Sequence, residues 1–129
     1  MATLFTRIIQ GEIPSHKLLE DEQFFAFLDI RPIAPGHTLV IPKQETDRFF
    51  DLETDLLQDI LPFSQRIAKA LEQVIPCDRV GLMVAGLEVP HAHLHLVPIN
   101  GIGDLTFANA APAAPEALAE LAEQIRTHL

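Results

Sequence analysis

The sequence has little cysteine and few basic residues, and both shortages exclude classes of function. A single cysteine, Cys77, excludes an internal disulfide framework and any zinc site built from several cysteines. Nine lysines and arginines stand against 18 aspartates and glutamates, for a formal net charge of −9. Nucleic acids and anionic membrane surfaces are bound mainly through basic faces, so we expect neither as a partner. One small phosphate group is still allowed, because local hydrogen-bond donors can hold it.

The sequence also lacks a long hydrophobic run. No apolar stretch approaches the roughly 20 residues that a membrane span needs, although 48% of the residues are hydrophobic. The first residues lack the basic region, apolar stretch and cleavage site of a secretory signal, so the expected location is the cytoplasm. A length of 129 residues suits one domain over residues 1–129.

Three strands are predicted in the first half of the chain. Segments 16–21 and 23–30 contain aromatic and aliphatic residues that suit a pleated, half-buried surface, with a polar turn between them. The loop 31–36 contains two prolines and a glycine, which redirect the chain. The third strand begins at His37 and stops at Pro42, which cannot donate a hydrogen bond to a neighbouring strand.

Helical spacing of apolar residues occurs in three places. A short segment, 4–10, repeats apolar residues four positions apart. The main helix lies within 47–75 and begins near residues 53–55, and Pro62 inside it predicts one kinked helix. A C-terminal helix starts at Pro115 and has an apolar stripe formed by Leu118, Leu121 and Ile125.

Two further strands, 79–86 and 91–98, are separated by a short link, with Pro90 at the start of the second strand. The order β-β-β-α-β-β-α, with hairpin-length links, predicts an α+β fold. It comprises a five-stranded, mainly antiparallel sheet with a main helix and a C-terminal helix, and with the helices on one face.

Three of the six histidines alternate at positions 91, 93 and 95. Alternate side chains of a strand share a face, so His91, His93 and His95 are expected to form a row within reach of one phosphate-sized ligand. Each protonated ring disfavours protonation of its neighbours, which keeps at least one imidazole neutral and nucleophilic. Two other interpretations remain open. The rings are unrelated surface histidines, or they bind a metal with His37 and Glu88 completing the shell.

The segment HAHLHLVP resembles the signature of the histidine triad (HIT) family of nucleotide hydrolases and transferases. The segment LFTRIIQGEIPSHKLLEDEQFFAFLDIRPIAPGHTLVIPK is similar to the opening strands and loop of the same family. The resemblance covers about residues 4–98 and implies a HIT-like domain, in which residues 101–129 form the C-terminal loop and helix.

The resemblance implies a role for several residues. His93 matches the nucleophile that attacks the α-phosphorus of a nucleotide and forms a covalent nucleotidyl-histidine. His95 matches the histidine that hydrogen-bonds the phosphate or the leaving group, and His91 the one whose backbone carbonyl orients the nucleophile. His37 resembles the additional histidine beside the triad, and Asp29 the carboxylate that binds the ribose hydroxyls. The expected base pocket comprises Phe5, Ile8, Ile9 and Leu28.

The loop before the triad departs from the family. The glutamine and the serine or threonine that many members supply to the phosphate are absent from the link AGLEVP, and Glu88 lies there instead. A carboxylate close to a phosphate weakens its binding. Two alternatives follow: Glu88 points away and backbone amides near Gly86 hold the phosphate, which we favour, or the substrate preference has changed. Arg7, Arg31 and Lys43 are candidate compensating charges.

The function implied is hydrolysis at the α-phosphorus of a nucleoside monophosphate derivative, namely a phosphoramidate, an adenylylated compound or a dinucleoside polyphosphate. The expected ligand is a purine nucleotide or nucleotide conjugate, with no cofactor and no metal. A low-turnover nucleotide sensor or scaffold is the alternative from the binding class, and a histidine-ligated metal protein is the third. The family also implies a homodimer with the sheet extended across the interface.

Overall fold

The computed structural model describes residues 2–129, which form a five-stranded antiparallel sheet with three α-helices. The elements are α1 (Leu4–Ile9), β1 (Lys17–Glu20), β2 (Phe24–Leu28), β3 (Thr38–Pro42), α2 (Thr54–Val74), β4 (Arg79–Met83), β5 (Leu94–Ile99) and α3 (Pro115–Arg126). The strand order is β1-β2-β3-β5-β4, and every neighbouring pair is antiparallel. The predicted α+β fold is therefore confirmed. Within residues 2–129, no helix combines the length and apolarity that crossing a bilayer requires.

The helices cover both faces of the sheet, which corrects the prediction that they pack on one face. α2 and α3 pack on one face, over a core that includes Phe24, Ala26 and Leu94. α1 packs on the opposite face, where Phe5 meets Phe27 in a smaller cluster. All five residues of β2 are buried as a result, since both of its faces are covered.

α2 runs without interruption through Pro62, as predicted for a single helix. Proline removes the hydrogen bond to the carbonyl of residue 58. Both Gln58 and Pro62 are exposed, so water can solvate the carbonyl that loses its partner. The buried residues of α2 form one stripe against the sheet: Leu56, Ile60, Phe63, Ile67, Ala70 and Leu71.

The boundaries of the strands that carry the histidines differ from the prediction. β3 begins at Thr38, one residue after His37. β4 ends at Met83 rather than at residue 86, and β5 begins at Leu94 rather than at residue 91. Residues 84–93 are therefore an irregular segment of the backbone, and of the triad only His95 lies within a strand.

Gly36 allows the turn that brings His37 to the start of β3. Its φ of +92° lies in the left-handed region, and a Cβ there would overlap Ile75 Cδ1 and lie 3.2 Å from Leu71 Cδ2. We expect Gly36→Ala to lower the free energy of unfolding by about 2 kcal/mol, from backbone strain and overpacking. Urea denaturation would measure the loss. Gly103→Ala, where an added Cβ meets no atom within 4 Å, should change the midpoint little; equal effects at both positions would contradict the explanation.

Candidate active site

A cavity of about 550 Å³ opens beside the last two histidines of the triad. Apolar residues of α1, β2 and β3 form one wall, and residues 85–89 form another. Its polar lining includes Asp29, His93 and His95. The space is that of a small-molecule pocket, mostly apolar with a few convergent polar groups.

Only some of the residues expected to form the base pocket line the cavity. Phe5 and Ile8 line the cavity, whereas Ile9 is not among its lining residues and packs at the edge of the α1 cluster. Leu28 borders the cavity, but its buried side chain belongs to the main core on the α2 face. Phe27 and Leu39, which sequence reasoning missed, line the cavity too. Along its strand, each of them is next to a residue that is buried on the opposite, α2 face of the sheet. Because side chains alternate between the two faces of a strand, this pattern could have predicted that both point toward α1.

The His93 ring is oriented by a backbone carbonyl. His93 Nδ1 lies 2.7 Å from the carbonyl oxygen of His91, which can only accept, so Nδ1 carries the proton. In the neutral ring the lone pair is then on Nε2. Phe5 packs edge-on against the ring, with centroids 5.0 Å apart. This geometry is what a nucleophilic imidazole requires, since Nε2 is left free to attack.

His91 lies on the α1 side of the sheet with the other two rings, beside Phe5, but it does not line the cavity, so the three imidazoles do not all reach one ligand as predicted. Its ring is fully buried and lies between the Thr3 hydroxyl, 2.7 Å from Nδ1, and the Pro42 carbonyl oxygen, 2.7 Å from Nε2. The Pro42 carbonyl requires a proton on Nε2, so Nδ1 accepts from Thr3. The backbone around this ring is not part of the sheet, because residues 91–93 lie outside β5 and Ala92 N–H donates to the Thr46 carbonyl.

The His95 ring belongs to a chain of hydrogen bonds with the opposite polarity. The backbone N–H of Ile33 donates to His37 Nδ1 over 2.9 Å, which places the proton of the neutral His37 ring on Nε2. His37 Nε2 lies 2.9 Å from His95 Nδ1 and donates to it. His95 therefore carries its own proton on Nε2. The two cavity histidines therefore carry opposite tautomers, with a lone pair on His93 Nε2 and a proton on His95 Nε2.

Burial keeps these rings neutral. It lowers the pKa of His95 to about 3, with the neighbouring His93 and His37 rings acting in the same direction. Burial also lowers the pKa of His93, against the opposing effect of the His91 carbonyl. The pKa of His37 is lowered by burial as well, against the charge of Asp29. At neutral pH the rings are therefore uncharged, so His93 keeps its single proton on Nδ1 and His95 keeps its single proton on Nε2.

Asp29 lies at the cavity rim directly after β2. One carboxylate oxygen accepts from the backbone N–H of Arg31 at 2.8 Å, the turn-forming contact typical of aspartate. The other lies 3.7 Å from His37 Nε2. The carboxylate is partly exposed to the cavity, so it is available to accept hydrogen bonds from ligand hydroxyls.

The loop before the triad brings a carboxylate to the cavity. Gly86, with a φ of +77°, and Glu88 both line it, and the Glu88 charge opposes the lowering of the His93 pKa that burial causes. The loop therefore places a carboxylate at the cavity, and the backbone around Gly86 borders the same space. Two of the proposed compensating charges pair elsewhere: Lys43 with Glu20 at 2.7 Å and Arg7 with Glu12 at 3.4 Å. Arg31 lines the cavity.

Three residues lie close enough together to bind a metal ion, but they are not the set predicted from the sequence, which joined the triad to His37 and Glu88. Potential ligand atoms of Asp29, His37 and His95 lie within 4.8 Å of one another, without His91, His93 or Glu88. His37 Nε2 and His95 Nδ1 share a hydrogen-bonded proton at 2.9 Å, whereas two nitrogens on one tetrahedral zinc are about 3.4 Å apart. An ion would have to break this bond and move both rings.

Phe107 is a site residue that the sequence analysis missed. It comes from the loop between β5 and α3, and its ring packs edge-on against His95, with centroids 5.1 Å apart. It lines the cavity together with Ala110. The one feature of the sequence that could have pointed to it is that it is an isolated phenylalanine in an alanine- and proline-rich loop.

Comparison with known proteins finds two yeast relatives that are both named adenosine 5'-monophosphoramidase. Adenosine 5'-monophosphoramidase HNT1 of Saccharomyces cerevisiae is 40% identical over 102 residues, which cover 75% of this chain and 62% of that protein. The chain thus spans less than two thirds of this relative's length. Adenosine 5'-monophosphoramidase hnt1 of Schizosaccharomyces pombe is 33% identical over 100% of this chain and 99% of its own length.

A solved structure shares the fold. The crystal structure of a Hit-like protein involved in cell-cycle regulation from Bartonella henselae superposes with a TM-score of 0.86 and 34% sequence identity, over 98% of this chain and 96% of the other. The family model described as the HIT domain matches residues 10–101, which is more than half of the chain. The chain therefore belongs to the HIT family.

Proposed function

We propose that this protein hydrolyses the P–N bond of adenosine 5'-phosphoramidates through a covalent intermediate on His93. The observation that carries the proposal is the pair of opposite tautomers at one cavity, with a lone pair on His93 Nε2 and a proton on His95 Nε2. The two yeast relatives, which are named as adenosine 5'-monophosphoramidases, support the choice of substrate class.

In the first step, His93 Nε2 attacks the α-phosphorus and the P–N bond breaks. The departing amine takes its proton from bound water, while the neutral His95 ring keeps its Nε2–H and donates a hydrogen bond to the reacting group. The His93 ring becomes cationic while it carries the nucleotidyl group, and the His91 carbonyl at 2.7 Å from Nδ1 stabilises that charge. A departing amine is a poor leaving group unless it is protonated, and the hydrogen bond from His95 Nε2–H stabilises the negative charge that develops beside the nucleophile.

In the second step, water attacks the phosphorus and the bond to His93 Nε2 breaks. The products are AMP and an amine, and the ring returns to its neutral form. Two displacements replace one difficult attack by water. Phe5 and Ile8 provide an apolar wall for the base, and Asp29 accepts from the ribose hydroxyls.

The test is release of AMP from adenosine 5'-phosphoramidate by the purified protein, assayed with and without a chelator. Turnover that survives the chelator supports the histidine mechanism. Tight nucleotide binding with no turnover would instead favour the sensor hypothesis, for which the absent serine and glutamine of the phosphate loop argue. Activity that is lost in chelator and restored by zinc would favour a metal at Asp29, His37 and His95.

We also propose a homodimer formed along β4. The sheet has two edges, and the β1 edge has charged residues, with Arg126 donating to the Lys17 carbonyl at 2.6 Å. β4, at the other edge, exposes Leu82 over 46% of its surface and continues into exposed Val84. An apolar edge strand is a ready pairing surface for a second copy.

We expect Leu82→Glu to convert the dimer to a monomer, because two-fold symmetry brings the new charge close to its copy. The dimer dissociation constant should rise at least about tenfold. Light scattering on a concentration series would measure it. Leu61→Glu places the same charge on a 55% exposed residue of α2, outside the sheet, and should leave the dimer intact. A monomeric unmodified protein would refute the interface.

A further inference from the structure

Acidic groups surround the place where the leaving group of the reaction must lie. Glu88 lines the cavity beside His93, and the cavity's other charged residues are Asp29 and the single cation Arg31. None of the ion pairs formed among residues 2–129 includes Glu88. Its charge is therefore not neutralised by a neighbouring side chain.

A second cavity, of about 580 Å³, also adjoins His93 and has the same character. Residues 84–87 and Ala92 line the second cavity, and residues 85–87 also line the first. The charged residues of the second cavity are Asp47, Asp51 and the cation Arg48. Carboxylates thus outnumber cations in each of the two spaces that meet at His93.

The nucleoside end of the substrate is already accounted for by the apolar wall of α1 and by Asp29. The scissile bond lies at His93, so the departing group is the part of the substrate that meets residues 84–88. A carboxylate at that place repels an anionic departing group and attracts a cationic one. The other carboxylates that line these partly enclosed cavities add to the same attraction of cations and repulsion of anions.

We propose that Glu88 selects the leaving group by its charge, favouring amines that carry a second, positively charged group and disfavouring leaving groups that carry carboxylate or phosphate. This inference rests on the proposed phosphoramidase function and narrows its substrates. Among the substrate classes considered from the sequence, it separates nucleotide conjugates of cationic amines from dinucleoside polyphosphates, whose departing nucleotide is anionic.

Three substrates of nearly equal size test the proposal. AMP is joined through nitrogen to 1,2-diaminoethane, to propylamine or to 3-aminopropanoate, so the far end of the leaving group is cationic, neutral or anionic. For the unmodified protein we expect kcat/KM to fall in that order, with about a tenfold difference or more between the cationic and anionic substrates. Raising the salt concentration should compress the series, because the charges face solvent.

Variants at position 88 decide whether this residue causes the order. Glu88→Gln should reduce the ratio between the cationic and anionic substrates at least about fivefold, and Glu88→Lys should reverse it. Glu120→Gln on exposed α3 changes the net charge equally and should keep the original order. The result that overturns the proposal is equal kcat/KM for the three substrates, or an order that Glu88→Gln leaves intact.

The two proposals fail in different ways. If the unmodified protein releases AMP from none of the three substrates, the phosphoramidase function itself is wrong. If it releases AMP from all three without regard to charge, the function stands and the selection by Glu88 does not.

Discussion

Replacing His93 with alanine is expected to lower kcat for adenosine 5'-phosphoramidate by at least about 10⁴-fold, the scale seen when an enzyme loses its nucleophile. The variant keeps the cavity and the donor on His95, but no lone pair remains at the position of Nε2. Water would have to attack phosphorus directly, so the two-step route is lost. KM should change much less than kcat, because the apolar wall and Asp29 bind the nucleoside independently of His93.

Two measurements make this prediction specific. AMP release gives kcat and KM, and mass spectrometry of the acid-sensitive adduct, after rapid quenching, should locate a nucleotidyl group on His93 in the unmodified protein. His128→Ala removes an exposed histidine outside the cavity and should retain full activity. An adduct on another residue, or substantial turnover by His93→Ala, would disprove the assignment of the nucleophile.

Much of this site could be predicted from local sequence. The glycine before His37, the stop at Pro42 and the alternation around residue 95 are signals that depend on neighbouring residues only, and the structure agrees with the strands that they predict. The Gly36 turn also shows why that local signal holds, since its φ of +92° favours glycine whatever packs beside it. The resemblance to the HIT family added roles that spacing alone could not assign.

The errors come from contacts between distant parts of the chain. The His91 ring is held by Thr3, 88 residues away, and by the Pro42 carbonyl, 49 residues away. Ala92 N–H pairs with Thr46 instead of a strand partner, so the extended segment before Leu94 does not join the sheet. A periodic pattern cannot reveal such partners, because it describes a segment apart from what packs against it.

The same reason explains why the position of α1 was missed. A six-residue helix has too few positions to indicate which face of the sheet it will cover. Phe5 and Ile8 reach the face opposite α2, and this placement creates the cavity wall next to His93. The position of α1, which shapes the site, is thus set by long-range packing and cannot be predicted from the sequence of the helix alone.

The buried rings also make the fold sensitive to acid. The pKa of His95 is about 3 in the folded protein, against 6.5 for an ordinary histidine, and burial is the main cause. Below pH 6.5 the unfolded chain binds a proton at His95 that the folded chain does not. The stability contributed by the neutral ring is complete above pH 6.5 and is lost as the pH falls toward 3.

We therefore expect the free energy of unfolding to fall by about 1.4 kcal/mol per pH unit from His95 alone between pH 6 and pH 4. His37 and His93, whose pKa values are also lowered, steepen the slope in the same direction. Urea denaturation at a series of pH values would measure it. In His95→Gln the titrating ring is absent, so the slope of that variant should be smaller by about 1.4 kcal/mol per pH unit.

A second measurement keeps the prediction testable if His95→Gln folds poorly. NMR titration of the unmodified protein should show an imidazole of His95 that stays neutral through pH 5, well below the ordinary histidine pKa of 6.5. A His95 ring that titrates near 6.5 would show that burial does not control its charge. The donor tautomer assigned to His95 depends on this point, because a protonated ring would hold a proton on both nitrogens and could not accept from His37 Nε2.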